Sequence, residues 1–350
     1  MTDTPAPDAS SSDPSGASPA GPRRRARRRW PRVLIAVAAL LVVAVGAAGV
    51  YAYTIDRRLT DNITRGIDLP GDNPTGSGES ARPSAQPQET GTLNYVLLGS
   101  DSRDPDNDGN GRSDSIMVVH LNKARNKAYI VSFPRDMYVD IPGRGKDKIN
   151  AAYSFGGPAL TVRTLEELTD VRMDHVVLVD FEGFIGLTDD LGGISVTNKT
   201  AFSSHGFDYP KGKITIAGKK ALWFVRERHA FPEGDLDRAE NQRNVIKAIV
   251  AKGLSADVIA DPARFTTFIG NLAKHVTVDN SLSDADIRST AVSLRLTSKN
   301  IELLQAPLSG FGTAPGGQSI DVVDTAQMAE LAKALKDDTM DDYLKKYPKG

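Results

Sequence analysis

The chain has 350 residues and a formal net charge of −1, enough length for one or two domains with a sizeable core. It contains no cysteine, which excludes disulfide staples, thiolate zinc sites and cysteine nucleophiles. Residues 1–32 hold seven arginines against three aspartates, so the remainder is mildly acidic and lacks the broad basic surface of a general nucleic-acid binder.

Residues 1–32 form a basic tail. Its first 22 positions are rich in Pro, Ala, Ser and Asp, offer almost nothing to bury, and are expected to be disordered. Residues 33–53 are an uninterrupted run of apolar, glycine and tyrosine residues, long enough for a transmembrane helix. The arginine cluster before it predicts a cytoplasmic N-terminus and a single-pass type II orientation in the cell membrane, with the remainder extracytoplasmic. Arg57, Arg58 and Arg65 weaken that bias without reversing it. The rival reading is a cleaved signal peptide, whose apolar core is usually shorter.

Residues 54–92 read as a juxtamembrane segment and flexible linker. Within them 70–92 contain no Val, Ile, Leu, Met, Phe, Trp or Tyr. An extracytoplasmic domain is expected over 93–345. Its pattern predicts strands at 95–98, 115–121 and 128–133, a helix at 158–169, a buried strand at 175–181 and a helix at 182–191 stopped by Gly192 and Gly193. Short strands follow at 194–197 and 213–216, then helices at 219–228 and 236–252. Helices at 262–275, 283–295 and 322–336 and a strand at 301–305 complete the pattern. Strands interleaved with helices imply an α/β fold, an αβα sandwich around a mixed central sheet.

Four short motifs pair arginine with a carboxylate: Gly-Ser-Asp-Ser-Arg at 99–103, Arg-Ser-Asp at 112–114, Pro-Arg-Asp at 134–136 and Val-Arg-Glu-Arg at 225–228. The planar guanidinium fork suits phosphate, and carboxylates suit a hard metal bridging the same phosphate. Strand 95–98 carries Asp101 and Arg103 beyond its C-terminal end, where open α/β sheets bind ligands. Arg112 and Asp114 lead into the next strand, and Arg135 follows the third. Helix 219–228 adds Arg226 and Arg228, while Arg238 and Gln242 lie four apart on one helical face. A lone triplet of this kind is more often a surface ion pair, which contributes about 0–1 kcal/mol. Arg103 reads equally well as a loop brace, and Asp136 as a partner that orients Arg135. Asn150 reads as a helix N-cap. Asp104, Asp106, Asp108 and Gly109 imitate an EF-hand loop, but Arg112 and Ser115 at the ninth and twelfth positions exclude one and leave a solvated acidic loop or a loose Ca²⁺ site. The five histidines show no paired metal spacing.

The ordered set resembles the LytR-CpsA-Psr family of cell-wall glycopolymer ligases. The likeness runs from about 94 to 248 and also includes Lys148-Ile-Asn-Ala-Ala152, Asp189-Asp-Leu-Gly-Gly193 and Asp235 to Gln242. It implies a membrane-anchored phosphotransferase that takes a polyprenyl-(pyro)phosphate-linked glycan and passes the glycan phosphate to a hydroxyl of a peptidoglycan acceptor. Teichoic acid, capsule and arabinogalactan are all compatible polymers. Arg112, Arg135, Asp101 and Asp114 would be catalytic. The pyrophosphate would lie on Arg112, Arg135, Arg226, Arg228, Arg238, Gln242 and Arg103. Asp101 and Asp114 would hold Mg²⁺, with Mn²⁺ as a substitute. Asp101, Asp136 and Asp235 are alternative general bases, and an apolar slot for the lipid is expected from segments such as 176–187. Many family members read Arg-Gln where this chain has Asn241-Gln242, one positive charge fewer, for which Arg243 is a candidate replacement. A non-catalytic polyprenyl-phosphate sensor or carrier and a polyprenyl-pyrophosphate hydrolase are the alternative functions; nucleic acid is not an expected partner.

Overall fold

The computed structural model describes residues 61–73, 80–87, 91–100 and 113–348. The basic tail, the 33–53 segment, Asp101, Arg103, Arg112 and the acidic loop at 104–109 lie outside them, and Asp114 is described by its backbone alone. Among the described residues no helix is long and apolar enough to cross a membrane.

A seven-stranded mixed sheet organises the domain. In chain order its strands are β1 (Thr64–Ile67), β2 (Leu93–Ser100), β3 (Ser113–Leu121), β4 (Ala128–Phe133), β5 (His175–Asp180), β6 (Thr277–Asp279) and β7 (Ile301–Gln305). Their spatial order is β1-β6-β5-β2-β3-β4-β7. The β5/β2, β4/β7 and β1/β6 pairs are parallel, and the β2/β3, β3/β4 and β6/β5 pairs are antiparallel. The period-two alternation of strands splits the core between two faces. Val96, Leu98, Ile116, Val118, Val131 and Phe133 point to one face, where they meet α1 (Ile149–Thr169) and α7 (Thr325–Asp337). Leu93, Met117, Leu121, Ala128 and Ile130 point to the other, where Ile246 and Val250 of α4 (Asp235–Gly253) cover them.

A third cluster joins α2 (Phe181–Asp190), α3 (Gly218–Arg226) and α4 to the hairpin of 194–198 with 212–216. Leu187, Ile194, Ile216, Phe224, Val245 and Ile249 are its buried members. The remaining helices longer than one turn are α5 (Pro262–Lys274), α6 (Asp284–Ser293) and α8 (Met340–Lys346).

Helix α1 is two segments. Gly156 and Gly157 have non-helical dihedrals, with Gly157 at φ 61°, and Pro158 opens the second segment, where its missing N–H costs nothing. The first segment, 149–155, grows directly from a hairpin (138–141 with 145–148) that is too polar to read as strands. Lys148 is therefore the N-cap, and Asn150 sits in the first turn, not at the cap. The N–H of Asn150 donates to the Arg135 carbonyl at 3.2 Å and that of Ile149 to Met137 at 2.8 Å, which ties the arginine loop to the helix. The helix expected from 322 begins at Thr325, because 319–323 pairs with 308–313 as a hairpin.

The expected linker needs correction where it is described. β1 is an edge strand of the main sheet, and Arg82 is buried against α1. Its Nε and Nη2 donate to the Glu166 carboxylate, both at 2.8 Å, its Nη2 also to the Met173 carbonyl at 2.8 Å and its Nη1 to Pro70 at 3.0 Å. Arg163 Nη1 donates to Ser80 at 2.6 Å. The stretch lacks large apolar residues, so its anchorage is polar and composition hides it. Glu166 is itself buried, and removing Arg82 would strand its charge. Arg82→Ala is expected to lower stability by about 3 kcal/mol, the usual penalty for breaking a buried pair, in denaturant unfolding. Arg82→Ala combined with Glu166→Leu should recover much of that loss; a double variant no more stable than the single one would refute the stranded-charge explanation.

Candidate functional site

The site is assembled where α3 ends and α4 begins, against the end of β4. Gly218 opens α3 with φ 53°, and a Cβ there would come within 2.6 Å of the Asp189 carboxylate, so the helix packs tightly on α2. That seat fixes Arg226 at the last position of α3. Its guanidinium lies over the Phe181 ring at 4.4 Å and near the Trp223 ring at 5.1 Å, a cation–π clamp on a long side chain. The loop after α3 folds around Glu227. Its Oε1 accepts from the N–H groups of Arg228 (3.0 Å), His229 (2.8 Å) and Ala230 (3.1 Å). Burial pushes this carboxyl upward, but these bonds and one from the Ser204 hydroxyl outweigh it and leave the pKa below the ordinary value.

Asp235, the first residue of α4, is the centre of the charge cluster. Its Oδ2 lies 2.7 Å from Arg238 Nη2 and 3.2 Å from Arg135 Nε, and its Oδ1 is 3.7 Å from Arg228 Nη1. Arg135 also faces Asp136 at 3.6 Å, and Asp136 is held by Lys148 Nζ at 2.8 Å. Four cations thus surround two carboxylates. The surplus charge is positive, as an anion site requires.

Beside the cluster an apolar pocket of about 130 Å³ runs between the sheet and the helices. Leu97, Met117, Phe184, Leu187, Val245 and Ile249 contribute to its walls, and Arg226, Arg238 and Gln242 mark its polar end. Gln242 donates to the Val225 carbonyl at 3.3 Å, which links α4 back to α3. Gly99 and Ser115, paired across β2 and β3, form part of the wall. Position 114 precedes the wall residue Ser115 in β3 and follows Ser113, which pairs with Ser100.

The LytR_cpsA_psr family model matches residues 70–337. The chain belongs to that family. A relative from Bacillus licheniformis, the polyisoprenyl-teichoic acid–peptidoglycan teichoic acid transferase TagU, is 32% identical over 320 residues, covering 90% of this chain and 98% of its own. Among solved structures, TagV of B. subtilis aligns at 26% identity with a TM-score of 0.63 over 72% of this chain and 98% of that one. A structure of TagT bound to LIIa-WTA aligns at 28% identity with a TM-score of 0.59 over 79% and 100%.

In this LytR_cpsA_psr member the fold brings together Arg135, Arg226, Arg228, Arg238 and Gln242 of the expected set. Asp101, Arg103 and Arg112 are outside the described residues. The expected slot over 176–187 contributes Val179, Phe181, Phe184 and Leu187, but half of the pocket comes from β2, β3 and α4, whose apolar residues look like ordinary core in sequence. Arg243 does not replace the missing positive charge at 241. It leaves the opposite side of α4 and donates to the Ser132 hydroxyl on β4. Among the described residues no group of three His, Asp or Glu side chains is placed to hold a metal.

Sequence reasoning missed two participants. Lys148 has no site role in the sequence reading, yet it neutralises Asp136. Asp321 arrives from the distant 319–323 strand, where its N–H donates to the Asp136 carbonyl at 2.9 Å. Burial first, then the negative charges of Asp136 and Asp235, raise its pKa from the ordinary 3.8 to about 6. Between those values the unfolded chain has released a proton that the folded chain keeps, so stability falls as pH rises through the window and the deficit is complete above pH 6. Asp321→Asn removes the deficit. At pH 7.5 the variant should be more stable by about 1–3 kcal/mol in denaturant melts, with the advantage fading toward pH 4. A pH-independent difference would show that Asp321 keeps no raised pKa.

Proposed function

We propose that this chain transfers a glycopolymer from a polyprenyl-(pyro)phosphate-linked precursor to peptidoglycan during cell-wall assembly. The observation that carries the reading is the apolar pocket ending on Arg226 and Arg238, with Asp235 joining Arg238 to Arg135 and Arg228. An amphiphile with an apolar tail and a diphosphate head matches both halves of that arrangement.

In this reading the isoprenoid tail enters the pocket and the diphosphate lies on the arginines. The acceptor hydroxyl attacks the glycan-side phosphorus. The bond to the bridging oxygen breaks, polyprenyl phosphate leaves, and the glycan remains joined to peptidoglycan through a phosphodiester. The hydroxyl proton passes to a base. Asp136 and Asp235 are each already paired with cations, so they serve better as holders of arginine than as proton acceptors. Arg135, Arg226, Arg228 and Arg238 neutralise charge that accumulates on the phosphate oxygens, a preorganised electrostatic contribution.

Mg²⁺, with Mn²⁺ as a substitute, fits the donor set of Asp101 and Asp114, since hard carboxylate oxygens and phosphate oxygens are what such ions select. It would act as a Lewis acid at the diphosphate. We place the enzyme in the cell membrane through residues 33–53 as a single-pass type II protein, with its catalytic domain outside.

The test uses the full-length protein in detergent with a polyprenyl-pyrophosphate-linked glycan and peptidoglycan oligomers, followed by mass spectrometry. A glycan–phosphate–peptidoglycan adduct should form with Mg²⁺, fail with EDTA, and drop by about 10²–10³ in Arg226→Ala, as for loss of one transition-state donor. Tight lipid binding without adduct would mean a carrier or sensor. Release of polyprenyl phosphate without adduct would mean a hydrolase.

A further inference from the structure

Helix α4 has a second face, and it lines a different cavity. Arg238, Gln242, Val245 and Ile249 face the apolar pocket, whereas Leu236, Glu240, Arg243 and Lys247 line a polar groove of about 560 Å³. Both stripes repeat at spacings of four, three and four, one helical face each. The far wall of the groove comes from β7, α7, α8 and the residues just after α8, through residues such as Gln305, Gln327 and Tyr347.

Arg243 lies against the base of this groove and is only 8% exposed. Its Nη1 donates to the Ser132 hydroxyl, and among the described residues its buried Nε has no hydrogen-bond partner and no carboxylate lies within ion-pair distance of it. Glu240 on the same helix is taken by Lys199 at 2.6 Å. The negative charge of Glu240, one turn earlier on the helix, favours the charged form, but desolvation outweighs it and lowers the pKa to about 10, so the buried guanidinium is only partly compensated. An anion entering the groove would supply the compensation that Glu240, shared with Lys199, leaves incomplete.

The groove's position selects the anion. Ser132 is three residues before Arg135 on the same chain segment, and Leu236 and Asp237 follow Asp235 directly. The groove therefore starts beside the arginine cluster, on the opposite side of α4 from the apolar pocket. An acceptor lying in it would reach the phosphates without crossing the lipid. Gln305 and Gln327 supply amides, and Tyr347 a ring, for a hydroxyl-rich saccharide.

We propose that this groove is the acceptor site, in which Arg243 binds a free carboxylate of the peptidoglycan glycopeptide. The inference rests on the glycopolymer-transfer reading given above. Arg243 is a binding residue for the acceptor and does not contact the donor.

The decisive experiment needs no turnover. Full-length protein in detergent is titrated calorimetrically with a peptidoglycan-derived muropeptide, once with its carboxylates free and once with them amidated, in the absence of donor. The amidated form should bind wild type at least about tenfold more weakly, as expected for a lost charge-assisted bond. Arg243→Gln should weaken the free-acid form by a similar factor and leave binding of polyprenyl pyrophosphate unchanged. Equal affinity of the two muropeptides for wild type, no binding of either, or loss of donor binding in Arg243→Gln would each overturn the proposal. The wild-type comparison decides the matter even if the variant does not fold. Acid-selective muropeptide binding with no transfer in the mass-spectrometric assay would reject the transferase reading and leave the groove standing. Transfer without acid-selective binding would do the reverse.

Discussion

Three guanidinium groups share the carboxylate of Asp235, and much of the site depends on that sharing. Arg135 comes from the end of β4, Arg228 from the loop after α3, and Arg238 from the first turns of α4. Left alone, three cations this close would repel one another and swing toward water. Asp235 at the head of α4 holds them, and the partial positive charge of the helix terminus stabilises the carboxylate in turn. The arginines are thereby gathered before any phosphate arrives, and a diphosphate meets donors that need little further ordering. Preorganised donors are where most electrostatic catalysis originates.

The same helix divides the two substrates in the proposed reaction. One stripe of α4 is apolar beyond Gln242 and closes the lipid pocket, while the stripe bearing Glu240, Arg243 and Lys247 is polar and opens on the groove. A helix of mixed amphipathicity looks unremarkable in sequence, because neither face dominates. Its two-sided character appears only once β2, β3 and β7 are placed on either side. In the proposed reaction the phosphates sit near the helix N-terminus, where the arginine cluster lies between the first α4 residues of the two linings, Leu236 and Arg238.

The central strands were legible because 95–98, 115–121 and 128–133 are apolar runs with strong β patterning, whereas α1 and α4, which cover them, begin without a side-chain cap. The grouping of Arg135, Arg226, Arg228 and Arg238 was suggested by their order along the chain, not by any single triplet. The segment around Arg82 was not legible, since its anchorage is a buried ion pair in a stretch without large apolar residues, and the edge strand β1 was not, since its four residues bury only Ile67 and give no alternation to read. The role of Asp235 was also hidden. Its motif was visible, but only the packed structure shows one carboxylate serving arginines from three segments. Asp321 carried no local signal, because it reaches the site through a bridge between Met137 and its own strand.

Asn241 illustrates how the charge balance constrains the sequence. The resemblance to the family led to the expectation of arginine at this place, and here the residue is a buried asparagine. On α4 it is three residues from Arg238 and four from Val245, so a guanidinium there would stand beside one already bound to Asp235. Asp235 is saturated by three cations, and Asp136 is occupied by Lys148 and Arg135. A further cation would have to be desolvated against like charge, which is costly in a buried setting. Asparagine keeps a hydrogen-bonding side chain at that position without adding to the repulsion. The positive surplus needed for phosphate is then supplied by residues nearer water, Arg226 and Arg228, where charge is cheaper to maintain.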